Sequence, residues 1–118
     1  RKHVGMMVPG PVQAAAVAAL DDDEHVERQR AIYLARLELG QKVLSRFGVE
    51  APLPEGGFYL WVRAPDGDAW GLTEHLARKA GALVSPGEFY GQAGRQHVRI
   101  AMVQPDERLA LVAERVGA

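Results

Sequence analysis

After Pro11, apolar side chains return at Val12, Ala15, Ala16, Ala19 and Leu20, the spacing of one helix face, with alanine filling much of the rest. Pro11 suits the start of such a helix, where its missing N–H has no partner to lose. Asp21, Asp22, Asp23 and Glu24 follow; they read as a helix cap rather than a metal site, because carboxylates accept from the free N–H groups of a first turn and complement its dipole. From about Glu24 to Phe47 the period stays helical, with Val26, Tyr33, Leu37, Leu44 and Phe47 on one stripe and Glu27, Arg28, Arg36 and Lys42 largely off it. Gly48 stands where a left-handed residue ends a helix, with Val49 placed for the accompanying apolar contact.

The period then drops to two. Phe58, Leu60 and Val62 alternate with Tyr59, Trp61 and Arg63, between Pro52 and Pro54 on one side and Pro65-Asp66-Gly67 on the other, and predict a strand. Asp68 is placed to cap a third helix, roughly Ala69–Ala80, with Trp70, Leu72, Leu76 and Ala80 inward, and Gly81 ends it. Ala82-Leu83-Val84 reads as a short strand leading into the loop Ser85–Gly94. His97–Val103 reads as another, with Val98, Ile100 and Met102 on one face and Arg99, Ala101 and Val103 on the other. Gln104-Pro105-Asp106 opens a last helix with Leu109, Val112 and Val116 inward. The order α-α-β-α-β-β-α predicts an α+β fold, a small mixed sheet with helices packed on one face. The other face is left free for solvent, a second domain or a ligand.

A chain of 118 residues suits one domain: 1–23 as linker and first helix, 24–118 as a compact α-β-α-β-β-α core. With 47% hydrophobic and 25% charged residues it is composed to fold rather than to stay disordered. Fourteen Lys+Arg against 15 Asp+Glu leave a net charge of −1, which lacks the basic footprint of a nucleic-acid binder. No apolar run reaches the roughly 20 residues of a membrane span. Without cysteine, disulfides, thiolate chemistry and Cys-ligated zinc are excluded, a composition compatible with the cytoplasm. The chain opens on Arg1 and first reaches methionine at Met6, with no leader-like segment before the fold, so it is expected to be part of a larger protein.

Most candidate chemistry fails on spacing. His3, His25, His75 and His97 are dispersed without a metal-ligand pattern, Ser45 and Ser85 lie in no nucleophile elbow, and the glycine-rich pieces match neither phosphate-loop pattern. Arg99 is the exception, a cation in the middle of the apolar run Val98–Val103. Such a charge either points to water or holds a specific partner, since leaving it buried and unpaired is costly. On the free sheet face its planar fork would suit a carboxylate. The loop Ser85-Pro86-Gly87-Glu88-Phe89-Tyr90-Gly91 would arrive nearby, either as a pocket wall or as a surface turn whose Phe89 plugs the core edge. Gly56-Gly57 likewise allows close approach of a substrate to the backbone, or merely a flexible start to the strand.

Taken in order, PGPVQAAAVAAL, PEGGFYLWV, LVSPGEFYG and HVRIAMV resemble the C-terminal small domain of the fold-type I pyridoxal-phosphate-dependent aminotransferases of class I/II, over essentially the whole chain. Within that family the likeness leans to the N-succinyldiaminopimelate aminotransferases of lysine biosynthesis; kynurenine-, methionine- and aspartate-type members share the same pieces. The resemblance implies an α/β parent enzyme that moves an amino group between an amino acid and a 2-oxo acid. It assigns Arg99 to binding the substrate α-carboxylate, with Gly57, Phe58 and Phe89 as further substrate-side residues. It also implies partners: an N-terminal large domain carrying pyridoxal phosphate, and a second subunit in a homodimer. The Ala-rich first helix and the Val4–Val8 stretch are then candidates for surface that the large domain would cover.

One part of the family pattern is missing. Its Schiff-base lysine follows a serine and precedes a glycine-aromatic-arginine stretch, whereas the lysines here are Lys2, running straight into the first helix, and Lys42 and Lys79, which read as surface. The large domain's pyridine-nitrogen aspartate and phosphate-binding residues are absent too. The resemblance therefore implies no catalytic residue and no cofactor held by this chain alone. A non-catalytic ligand- or protein-binding module using the free face is the alternative, and the reading frame upstream of Arg1 separates the two. A decarboxylase, lyase or synthase on the same fold is not distinguished by these residues.

Overall fold

A computed structural model describes residues 3, 5 and 7–118. Lys2, and Val4 and Met6 of the expected apolar stretch, lie outside the described residues. The elements are α1 (Gly10–Leu20), α2 (Asp23–Ser45), β1 (Tyr59–Arg63), α3 (Ala69–Ala80), β2 (Ser85–Pro86), two 3-10 turns (Gly87–Tyr90 and Gln92–Gly94), β3 (His97–Ala101) and α4 (Asp106–Val116). The chain divides into two units, Arg1–Ala31 and Ile32–Ala118, and α2 begins in the first and ends in the second.

In the first unit α1 forms where the spacing predicts, but none of its residues is buried, and its expected inward stripe is exposed, Leu20 at 81%. The carboxylate of Asp22 accepts the His25 N–H at 2.8 Å, the capping role expected of the acidic run.

In the second unit the sheet order is β1-β3-β2, and both pairings are antiparallel. The α+β fold is as predicted; the sheet is antiparallel throughout rather than mixed. Ala82-Leu83-Val84 also misses its predicted ladder. The Ala82 N–H is spent on the Leu76 carbonyl at 3.3 Å, closing α3, and Leu83 is 91% exposed. Pairing starts only at Ser85 and stops at Pro86, which has no N–H to extend it.

Alternation along β1 and β3 separates two faces. Leu60, Val62 and Val98 are fully buried, and with Leu37 and Leu44 of α2 and Leu72 and Leu76 of α3 they form one apolar core. Leu109 of α4 packs against it. On α2 the inward row is Leu37, Gly40, Val43 and Leu44; Val26 of the predicted stripe is half exposed. Gly40 is there for space: a Cβ would lie 2.8 Å from Leu60 Cδ1 and 3.0 Å from Met102 Cε, so a bare backbone lets the helix sit directly on the sheet.

The ends of α2 and α3 follow their sequence signals. Gly48 (φ +69°) and Gly81 (φ +71°) take the left-handed conformation that closes a helix, and Val49 behind the first is buried. Asp68 accepts the Gly71 N–H at 2.9 Å. Buried positions on α3 run Ala69, Leu72, Leu76 and Ala80, which turns Trp70 aside; it is 51% exposed rather than inward. Among the described residues no helix is long and apolar enough to cross a membrane.

Leu60 touches both helix and sheet at zero exposure. Leu60→Ala is expected to lower unfolding free energy by about 2–5 kcal/mol, read from the midpoint of urea denaturation; a loss below about 1 kcal/mol would mean the core is not built around it.

Candidate functional site

The register that buries Val98 turns Arg99 to the opposite face. It stands between Trp61 on β1 and Ser85 on β2. Tyr59 and Trp61 share this face with exposures of 37% and 42%, so aromatic surface left uncovered by the core surrounds a half-buried cation. The Arg99 guanidinium carbon lies 4.5 Å from the Tyr59 ring centre and 4.2 Å from that of Tyr90, inside the range of a cation–π contact. Among the described residues Arg99 makes no ion pair, in contrast to Arg36, whose Nε donates to Asp106 at 2.7 Å.

The turn-forming loop after β2 is held tightly. Gly87 and Gly94 are buried against each other; a Cβ on Gly87 would run into the Gly94 carbonyl and come 2.8 Å from Trp61 Cη2. Trp61 stacks on His97 (centres 5.3 Å apart, planes at 10°) and meets Tyr90 edge-on at 6.0 Å. Trp70 Nε1 donates to Glu88 at 2.7 Å, and its ring meets Phe89 at 5.7 Å. These contacts fix the two 3-10 turns from both sides and set Tyr90 beside Arg99.

The four candidate residues are not equally placed. Arg99 is in the centre of the open face. Phe89 is 65% exposed and adjoins Tyr90 in sequence, so it does not plug the core edge. Phe58 is half buried, against Tyr33 at 5.4 Å and Tyr59 at 4.6 Å, and reaches Arg99 only through Tyr59. Gly57 (φ +82°) is exposed, with open space where a Cβ would stand.

Tyr59, Trp61 and Tyr90 are not among the site residues the sequence points to, although the strand alternation sets Tyr59 and Trp61 on the side of Arg63. A cleft of about 670 Å³ adjoins the Trp61–His97 end and includes Arg63 and Glu50 in its lining. The His97 Nδ1 there is buried without a hydrogen-bond partner among the described residues. No group of three or more His, Cys, Asp or Glu among those residues could hold a metal ion.

A family model described as aminotransferase class I and II matches residues 3–116. The chain is 48% identical over 116 residues to the 4-dedimethylamino-4-oxo-anhydrotetracycline transaminase OxyQ of Streptomyces rimosus, a match that covers 98% of this chain and 32% of that protein. It is 34% identical over 109 residues to the LL-diaminopimelate aminotransferase of Aquifex aeolicus, covering 91% and 28%. The apo structure of BacF from Bacillus subtilis superposes with a TM-score of 0.79 at 34% identity, covering 98% of this chain and 32% of that one. The chain thus spans a third or less of the length of these relatives.

Because Gly87 abuts both Gly94 and Trp61, Gly87→Ala is expected to cost about 1–3 kcal/mol of stability and to change the near-UV circular dichroism of the tryptophans. Wild-type values for both would show that the loop is not clamped as described.

Proposed function

Because this chain belongs to the aminotransferase class I and II family, we propose that it forms the substrate-carboxylate wall of a pyridoxal-phosphate-dependent aminotransferase moving an amino group between an amino acid and a 2-oxo acid. Arg99 binds the α-carboxylate. The observation that carries this is a guanidinium in the middle of the open face, with no acid partner among the described residues and aromatic rings on both flanks. The planar fork offers paired N–H donors that match the two oxygens of a carboxylate.

Residues of the chain itself supply binding and orientation. Holding the carboxylate at Arg99 fixes the direction of the neighbouring Cα, which is the positioning part of catalysis. Phe89, exposed on the loop, and Gly57-Phe58, just ahead of β1, are the further substrate-side residues in this reading. The described residues do not fit pyridoxal phosphate: Lys42 and Lys79 are exposed on α2 and α3, and neither is among the side chains gathered around Arg99. We therefore assign the cofactor to a large domain outside residues 1–118, in a cytoplasmic homodimer.

N-succinyldiaminopimelate with 2-oxoglutarate is the substrate pair to try first, a choice supported by the LL-diaminopimelate aminotransferases among the relatives. In the full-length protein bearing this sequence, Arg99→Ala is expected to raise the KM for the amino-acid substrate on the order of 100-fold, the effect of losing charged hydrogen bonds. Arg99→Lys should recover little, since an ammonium lacks the fork. Steady-state transamination kinetics decide it, and an unaltered KM in the alanine variant would remove Arg99 from the role.

A further inference from the structure

Arg99 differs from other arginines of the chain in what holds it. Arg28, Arg30, Arg36 and Arg78 are each bonded to a carboxylate, whereas Arg99 is held by two tyrosine rings. The rings arrive from opposite sides of β3. Tyr59 begins β1, Tyr90 closes the turn that follows β2, and β3 runs between those strands.

We infer that Tyr59 and Tyr90 are positioning residues, a two-ring cradle that fixes the guanidinium of Arg99 while leaving its N–H donors free for a carboxylate. The inference rests on the substrate-binding role given to Arg99 above.

The reason lies in what each kind of partner occupies. A carboxylate at the same place would hold Arg99 equally well, but by accepting from the same N–H groups that a substrate needs. An aromatic ring attracts the cation through its π face and occupies none of those hydrogen bonds. The charge is held in place and not neutralised. Both contacts are to ring centres, so the phenol hydroxyls are not required. Tyr90 is in turn fixed by the edge of Trp61 at 6.0 Å, and Tyr59 by Phe58 at 4.6 Å, so the cradle is braced on both sides. Phe58 thereby acts on Arg99 at one remove.

The test uses the full-length protein with Tyr59→Leu, Tyr90→Leu and the corresponding phenylalanine variants. Each leucine variant is expected to raise the KM for the amino-acid substrate about 5- to 20-fold, the loss of one partly desolvated cation–π contact, with kcat changed much less. Tyr59→Phe and Tyr90→Phe should restore most of the affinity. A second readout needs no turnover: in the NMR spectrum of the full-length protein, the Arg99 Nε–Hε signal should be displaced by the ring currents and return toward the ordinary arginine position in the double leucine variant.

If Arg99→Ala leaves KM unchanged, the carboxylate-binding reading falls and the cradle's purpose with it. If Arg99→Ala raises KM while both leucine variants keep the wild-type value, the cradle is overturned and the reading of Arg99 stands. An undisplaced Nε–Hε signal in the wild-type full-length protein overturns the cradle by itself, even where a leucine variant fails to fold.

Discussion

A guanidinium drawn partly out of water must have something to hold its charge, and at Arg99 that need is met by aromatic rings rather than by an acid. Much of the second unit bears on this arrangement. Alternation along β1 and β3 seals Leu60, Val62 and Val98 against the helices and leaves Tyr59, Trp61 and Arg99 on the far side. The bare backbone of Gly40 brings α2 down onto the sealed face. The glycines of the loop let its turns close against Trp61, which puts Tyr90 within reach. Core and site are two sides of a single pleated layer.

The sequence made the backbone of this layer legible because strong local signals coincide with strong physical constraints. Gly48, Gly81 and Asp68 announce helix ends by chemistry that few other residues supply, and α3 forms over the predicted span. Arg99 could be picked out because a cation in an apolar strand has few reasons to be there. What was less visible depended on neighbours distant in sequence. Trp70 looked inward on helical spacing, yet its partners are Glu88 and Phe89 on the loop. Ala82–Val84 has the composition of a strand, but a local bond closing α3 competes with the ladder. Tyr90 gives no periodic signal at all, since its importance comes from a turn folding back across the sheet.

The family and the open face account for different parts of the chemistry. Membership in the aminotransferase class I and II family narrows the reaction class, while the carboxylate-binding role proposed for the face rests on Arg99 and the rings that flank it. The pairing register sets Trp61 and Ser85 on either side of Arg99, and His97 of the same strand stacks on Trp61.

The brevity of β2 has a mechanical consequence. Tyr59 rides on a five-residue rung paired along its full length, whereas Tyr90 follows a rung of only two residues whose second member is a proline. The two rings are therefore held by different means, Tyr59 by the backbone ladder of its strand and Tyr90 by the side-chain packing of its turn against Trp61.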